Sequence, residues 1–118
     1  MSGMLFQMNP THAAAIYCGL RVGYDGEVQP VEAALDVLQE YTAREGIGVT
    51  CTPTYFVYKK DREPGVIVGL FVYPPQVLDL VSLEKHVRAI ALLLKERLRQ
   101  KKVTATLLDR FLIFGDKT

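Results

Sequence analysis

An excess of charge of either sign is missing from this chain of 118 residues, where 14 Lys and Arg meet 13 Asp and Glu for a formal net charge of +1. Nucleic-acid-binding domains usually carry a strongly basic patch, so no nucleic-acid partner is expected. Arg97, Arg99, Lys101 and Lys102 do cluster, but a helix C-terminus favours cations through its macrodipole. Cysteine is scarce too. Cys18 and Cys51 lack CxxC spacing and fall in β-like runs, which excludes a disulfide scaffold or zinc site and reads them as small buried hydrophobes. His12 and His86 have no ligand-spaced partners, and His86 is expected on the surface of a helix. No metal and no cofactor are therefore expected. Neither a Ser-His-Asp nor a Cys-His-Asp set can be assembled, since Ser82 reads as a helix cap.

The opening MSGMLFQMNP has no positive n-region and no long apolar run, so neither a secretory signal nor a membrane partner is expected and the chain reads as cytoplasmic. Repeats and low-complexity tracts are absent; the Pro74 to Leu80 segment is the one connection of awkward composition. The length fits one domain over 1–118, with 1–11 a weakly ordered arm.

Periodicity supplies the elements. Ala13 to Tyr24 alternates, with Ala14, Ile16, Cys18, Leu20 and Val22 on one face and Ala15, Tyr17, Gly19, Arg21 and Gly23 on the other. After Asp25-Gly26, Pro30 suits a first helical turn, and Val31, Ala34, Leu35, Leu38 and Tyr41 recur at helical spacing up to a Gly46 cap. Strands follow over Val49 to Lys59 and Val66 to Tyr73, with Asp61 to Gly65 as the turn. Pro53 cannot donate to a ladder and assigns the first of them to an edge. Ser82 opens a second helix with Leu83, Val87, Ile90, Ala91, Leu94 and Leu98 in one stripe, widened by Leu92 and Leu93. VTATLL and FLIF, split by Asp109-Arg110, make a final strand and a short extra one.

The order β-α-β-β-α-β specifies an α+β ferredoxin-like sandwich: an antiparallel sheet with two helices on one face and a short C-terminal strand added. The Val49 to Pro75 hairpin is apolar or aromatic on both faces, and its second face, with Phe56, Tyr58, Phe71 and Tyr73, needs a cover. A homo-oligomer with sites in intersubunit clefts answers that need.

Three groups of residues are candidate ligand contacts. Gly19 to Glu27, GLRVGYDGE, combines three glycines with Arg21, Tyr24, Asp25 and Glu27, although its spacing is not that of a phosphate-binding loop. Thr50, Thr52, Thr54, Phe56 and Tyr58 share one strand face and offer hydroxyls and rings to a polar aromatic ligand or a cation. Glu63, expected at the hairpin tip beside Tyr58, would suit acid-base work or a cationic substrate. The ligand-binding set is thus Arg21, Tyr24, Thr52, Thr54, Tyr58 and Glu63, with Tyr58 and Glu63 the catalytic candidates. Each also has a structural reading, as turn, subunit interface or solvated tip.

The long hairpin strands, charged tip and element order resemble the PII-like and CutA-like class of small ferredoxin-like proteins, which implies a trimer with ligands between subunits. TPTYFVY followed by EPGVIVGL resembles small bacterial or phage-encoded proteins. Three functions follow: a trimeric small-ligand or partner-binding protein first; a small enzyme similar to phage S-adenosylmethionine lyases, using Tyr58 and Glu63; or an interaction module that adds the hairpin edge to a partner's sheet.

Overall fold

The structure, a computed structural model, describes residues 13–71, 79–107 and 110–116. The 1–11 arm, His12, Tyr73 and most of the Pro74 to Leu80 connection lie outside the described residues, as does the Phe71 side chain. The elements run β1 (Ala13–Gly19), α1 (Val31–Glu45), β2 (Thr50–Tyr58), β3 (Asp61–Phe71), α2 (Leu80–Arg97), β4 (Lys102–Leu107) and β5 (Arg110–Gly115). One sheet takes the order β2-β3-β1-β4-β5 with every pairing antiparallel, the ferredoxin-like arrangement extended by one strand. β2 is an edge, which tolerates the missing donor of Pro53 opposite Val66.

Alternation decides which sheet face is covered. Ala14, Ile16, Cys18 and Leu20 share a face with Val66, Val68 and Leu70 and with Val103, Ala105 and Leu107, and all are buried. Onto them pack Ala34, Val37, Leu38 and Tyr41 of α1 and Leu83, Val87, Ile90, Ala91 and Leu94 of α2, both sets at helical spacing. Val37 takes the buried place expected of Leu35, which is exposed, and Leu92 faces outward instead of widening the α2 stripe. Gly46 ends α1 in a left-handed cap, as expected. The α2 cap is Asp79, whose carboxylate accepts from the Ser82 N–H at 2.7 Å; Ser82 is the third helical residue, not the cap. His86 is not a free surface residue either: its Nδ1 meets the Tyr41 hydroxyl at 2.7 Å and joins the two helices.

Two strand boundaries differ from the sequence reading. β1 ends at Gly19, five residues early, because the chain then folds on itself through the bridge Arg21↔Val28. Asp61 to Gly65 belongs to β3; the turn is only Lys59-Lys60, with Lys59 left-handed at φ 54°. The hairpin outruns the helices, so Tyr55 and Val57 are exposed although they share a strand face with core-packed Cys51.

Cys18 and Cys51 are free and sit on strands that do not pair; Cys18 is buried, Cys51 half-buried. Burial pushes the Cys18 thiol up to about 12 from its ordinary 9.0, with Cys51 adding a smaller push. Burial also raises Cys51 and Tyr41. A group whose pKa rises on folding stabilises fully below its unfolded pKa, and that contribution is lost as pH climbs toward the folded value. Conformational stability is therefore expected to fall from about pH 9 upward, read as a decreasing urea midpoint, and Cys18→Ala should flatten the fall. Native Cys18 should also resist alkylation until the protein is unfolded.

Candidate functional site

Beyond Gly19 the chain makes a tight excursion and returns. The Leu20 N–H still pairs with the Pro64 carbonyl at 2.9 Å, while Gln29 N–H returns to the Leu20 carbonyl at 2.8 Å and Val22 N–H to the Glu27 carbonyl at 2.9 Å. Gly23 takes φ +59°, the left-handed turn that favours glycine, and its N–H donates to the Arg99 carbonyl at 3.0 Å. The excursion is thereby tied to the connection between α2 and β4. Gln29 and Gln100 both donate side-chain hydrogens to the Leu98 carbonyl, each at 2.9 Å, satisfying a helix-end acceptor.

These ties aim Arg21 along the open sheet face. Its Nη1 donates to the Gly26 carbonyl at 3.0 Å, and its Nε lies 3.3 Å from Oε2 of Glu63 on β3. Glu63 is opposite Phe56 in the β2·β3 ladder, inside the hairpin and not at its tip. A Cβ on Gly65 would stand 2.3 Å from the Phe56 ring, so the missing side chain lets that ring lie against the sheet beside Glu63. The result is a cavity of about 360 Å³ lined by Tyr17, Gly19, Arg21, Gly23, Tyr24, Phe56, Glu63, Gln100, Lys101, Lys102 and Thr104. The Arg21–Glu63 pair is half-exposed, able to exchange its mutual contact for a ligand. Lys101 also approaches Asp116, whose carboxyl is held below the usual range chiefly by the Lys95 hydrogen bond.

A second cavity, about 460 Å³, lies between α1 and the β2 edge, lined by Glu32, Asp36, Leu35, Cys51 and their neighbours with no basic side chain. It lacks the opposed charges of the first. Among the described residues no cluster of His, Cys, Asp and Glu could hold a metal, and no helix is long and apolar enough to cross a membrane.

Of the candidates named from sequence, Arg21, Tyr24, Phe56 and Glu63 line the first cavity. Thr52 and Thr54 stand on the same sheet face, along β2, but outside the lining. Tyr58 is two ladder pairs farther out than Phe56, 70 % exposed and under the Lys59 ammonium at 5.3 Å. Tyr17, Gln100, Lys101, Lys102 and Thr104 complete the lining beyond the residues named from sequence. Tyr17 was detectable, because it alternates onto the Arg21 face. Gln100 was not, because its position depends on how α2 hands over to β4.

The chain is thus a ferredoxin-like α+β domain with an ion-paired, aromatic-walled cavity at one end of its open sheet face. No protein-family model matches it, and no curated protein does. Two solved structures share the fold. A phage SAM lyase in complex with S-methyl-5'-thioadenosine is 16 % identical with a TM-score of 0.71, covering 98 % of this chain and 97 % of its own. A phage SAM lyase in the apo state is 17 % identical with a TM-score of 0.74, covering 98 % of each chain. The ferredoxin-like fold expected from the element order is thus present, and it is the fold of these two phage enzymes.

Proposed function

We propose that this chain is a small lyase acting on S-adenosylmethionine, the second of the functions considered from sequence, in preference to a non-catalytic binding protein. The observation that carries it is the Arg21–Glu63 pair beside Phe56, Tyr17 and Tyr24 in one cavity. A cationic sulfonium is attracted to a carboxylate and to ring faces. The amino-acid end of the same substrate is a zwitterion, and an adjacent guanidinium and carboxylate complement its two charges. The fold shared with phage SAM lyases raises the weight of this reading.

The chemistry asks little of the protein. An oxygen of the substrate's own carboxylate attacks its γ-carbon; the new C–O bond closes a lactone as the C–S bond breaks. The sulfur keeps the bonding electron pair and leaves as a neutral thioether, S-methyl-5'-thioadenosine. No proton moves, and no cofactor is consumed. The protein's part is to hold the chain bent for in-line attack, a positioning effect of the kind that supplies several kcal/mol of barrier. Arg21 orients the nucleophilic carboxylate, and Glu63 anchors the ammonium near the departing sulfonium.

Chromatography of S-adenosylmethionine incubated with the protein tests this: growth of the methylthioadenosine peak supports it, and unchanged substrate defeats it. Binding without turnover would restore the reading as a ligand-binding protein. We also propose that the open sheet face around Ala15, Tyr17 and Ile67 is covered by further copies, a trimer being favoured, so that cavities border subunit interfaces. Light scattering is expected to give three times the chain mass of 13.2 kDa, and a monomer would defeat this arrangement.

A further inference from the structure

We infer that Gln100 selects the base of the nucleoside, its side-chain oxygen accepting a hydrogen bond from the exocyclic amine of adenine. The inference rests on the reading of the cavity as an S-adenosylmethionine site. Gln100 is only 8 % exposed, the one buried polar side chain among the described residues. Its Nε2 donates to the Arg21 carbonyl at 2.8 Å and to the Leu98 carbonyl at 2.9 Å, which uses both amide hydrogens. A flipped amide would turn an oxygen toward those two carbonyls, so the orientation is determined by the network. Oε1 is left as an acceptor, and no donor reaches it among the described residues.

That oxygen borders the cavity. A Cβ on Gly19 would stand 3.0 Å from it, on the sheet face that carries Tyr17 and Arg21, and Gly19 and Gln100 both line the same space. The bare glycine leaves a floor over which a flat ring can approach Oε1. It remains accessible, since no fully buried side-chain N or O lacks a partner among the described residues.

Oε1 lies over Gly19 of β1 and Glu63 belongs to the neighbouring β3, so the free acceptor and the carboxylate border one cavity from adjacent strands. A ligand with its cationic end at Glu63 brings its base to Gln100. The ammonium itself would not compete for Oε1, because a full carboxylate charge holds it more strongly than a neutral amide. Adenine presents an N–H donor to Oε1. Hypoxanthine presents a carbonyl oxygen at the same place, setting acceptor against acceptor.

The test is a titration of the unaltered protein with S-methyl-5'-thioadenosine and with S-methyl-5'-thioinosine, which differ at that group. We expect the inosine compound to bind at least about tenfold more weakly. Gln100→Met, which keeps the length and removes the acceptor, should narrow the gap, provided its circular dichroism matches the parent. Equal binding of the two compounds to the unaltered protein, or tighter binding of the inosine compound, would overturn the role of Gln100 while leaving the site intact. Failure of both to bind, together with no turnover of S-adenosylmethionine, would overturn the inference and the proposed function together.

Discussion

Glu63→Gln is expected to lower methylthioadenosine release by about a hundredfold, with little change in stability. The substitution keeps the shape of the side chain and removes only the charge. Glu63 is the single carboxylate among the described residues that line the cavity, so no neighbour replaces it. Its pair with Arg21 spans 3.3 Å with both side chains partly exposed, and such pairs contribute at most about 1 kcal/mol after solvent screening. The fold therefore survives while the charge that anchors the substrate's ammonium for in-line attack goes. Steady-state kinetics and a melting curve on one preparation separate the two effects. Activity within about threefold of the parent would remove Glu63 from the mechanism.

Gly65→Ala should destabilise the domain by about 2–3 kcal/mol and weaken the ligand site with it. The added Cβ would lie 2.3 Å from the Phe56 ring and 2.7 Å from the Cys18 backbone carbonyl. The ring can swing away, but the carbonyl belongs to the β1·β3 ladder and cannot yield without distorting the sheet. Moving the ring also takes away the aromatic wall beside Glu63. Gly48→Ala is the matching control: nothing lies within 4 Å of its would-be Cβ and its φ is not positive, so a change below about 1 kcal/mol is expected. Urea denaturation of both variants gives the comparison. Equal effects would mean that Gly65 is not a contact point.

Local rules were enough for the framework. Alternation in β1 separates the buried Cys18 series from the Tyr17–Arg21 series, and Pro53 marks the edge strand, because each depends on residues adjacent in the chain. The α2 stripe is similarly legible at i, i+3 and i+4 spacing. Local rules failed where a nearby alternative was nearly as good. Ser82 and Asp79 are both sound caps, and the chain uses the earlier one. Asp61 to Gly65 carries Asp, Pro and Gly, a turn composition, yet pairing with Tyr58 to Thr54 across a two-residue turn overrides it.

The candidate site divides in the same way. Arg21, Tyr24 and Glu63 could be named from sequence because charged and hydroxylated residues beside glycines are visible in one dimension. A turn over Asp61 to Gly65 would bring Glu63 beside Tyr58, whereas the two-residue turn at Lys59-Lys60 sets Glu63 opposite Phe56. Gln100 carried no local signal at all. Its two hydrogen bonds reach Leu98, two residues away, and Arg21, 79 residues away, and only the second gives it a place in the cavity. Sequence by itself determined the order of elements, the buried faces and the edge strand, since periodicity and backbone chemistry act over a few residues. Tertiary structure alone decided which charges meet and which acceptor lies over Gly19, since strand register and helix-to-strand handover join residues that are remote in the chain.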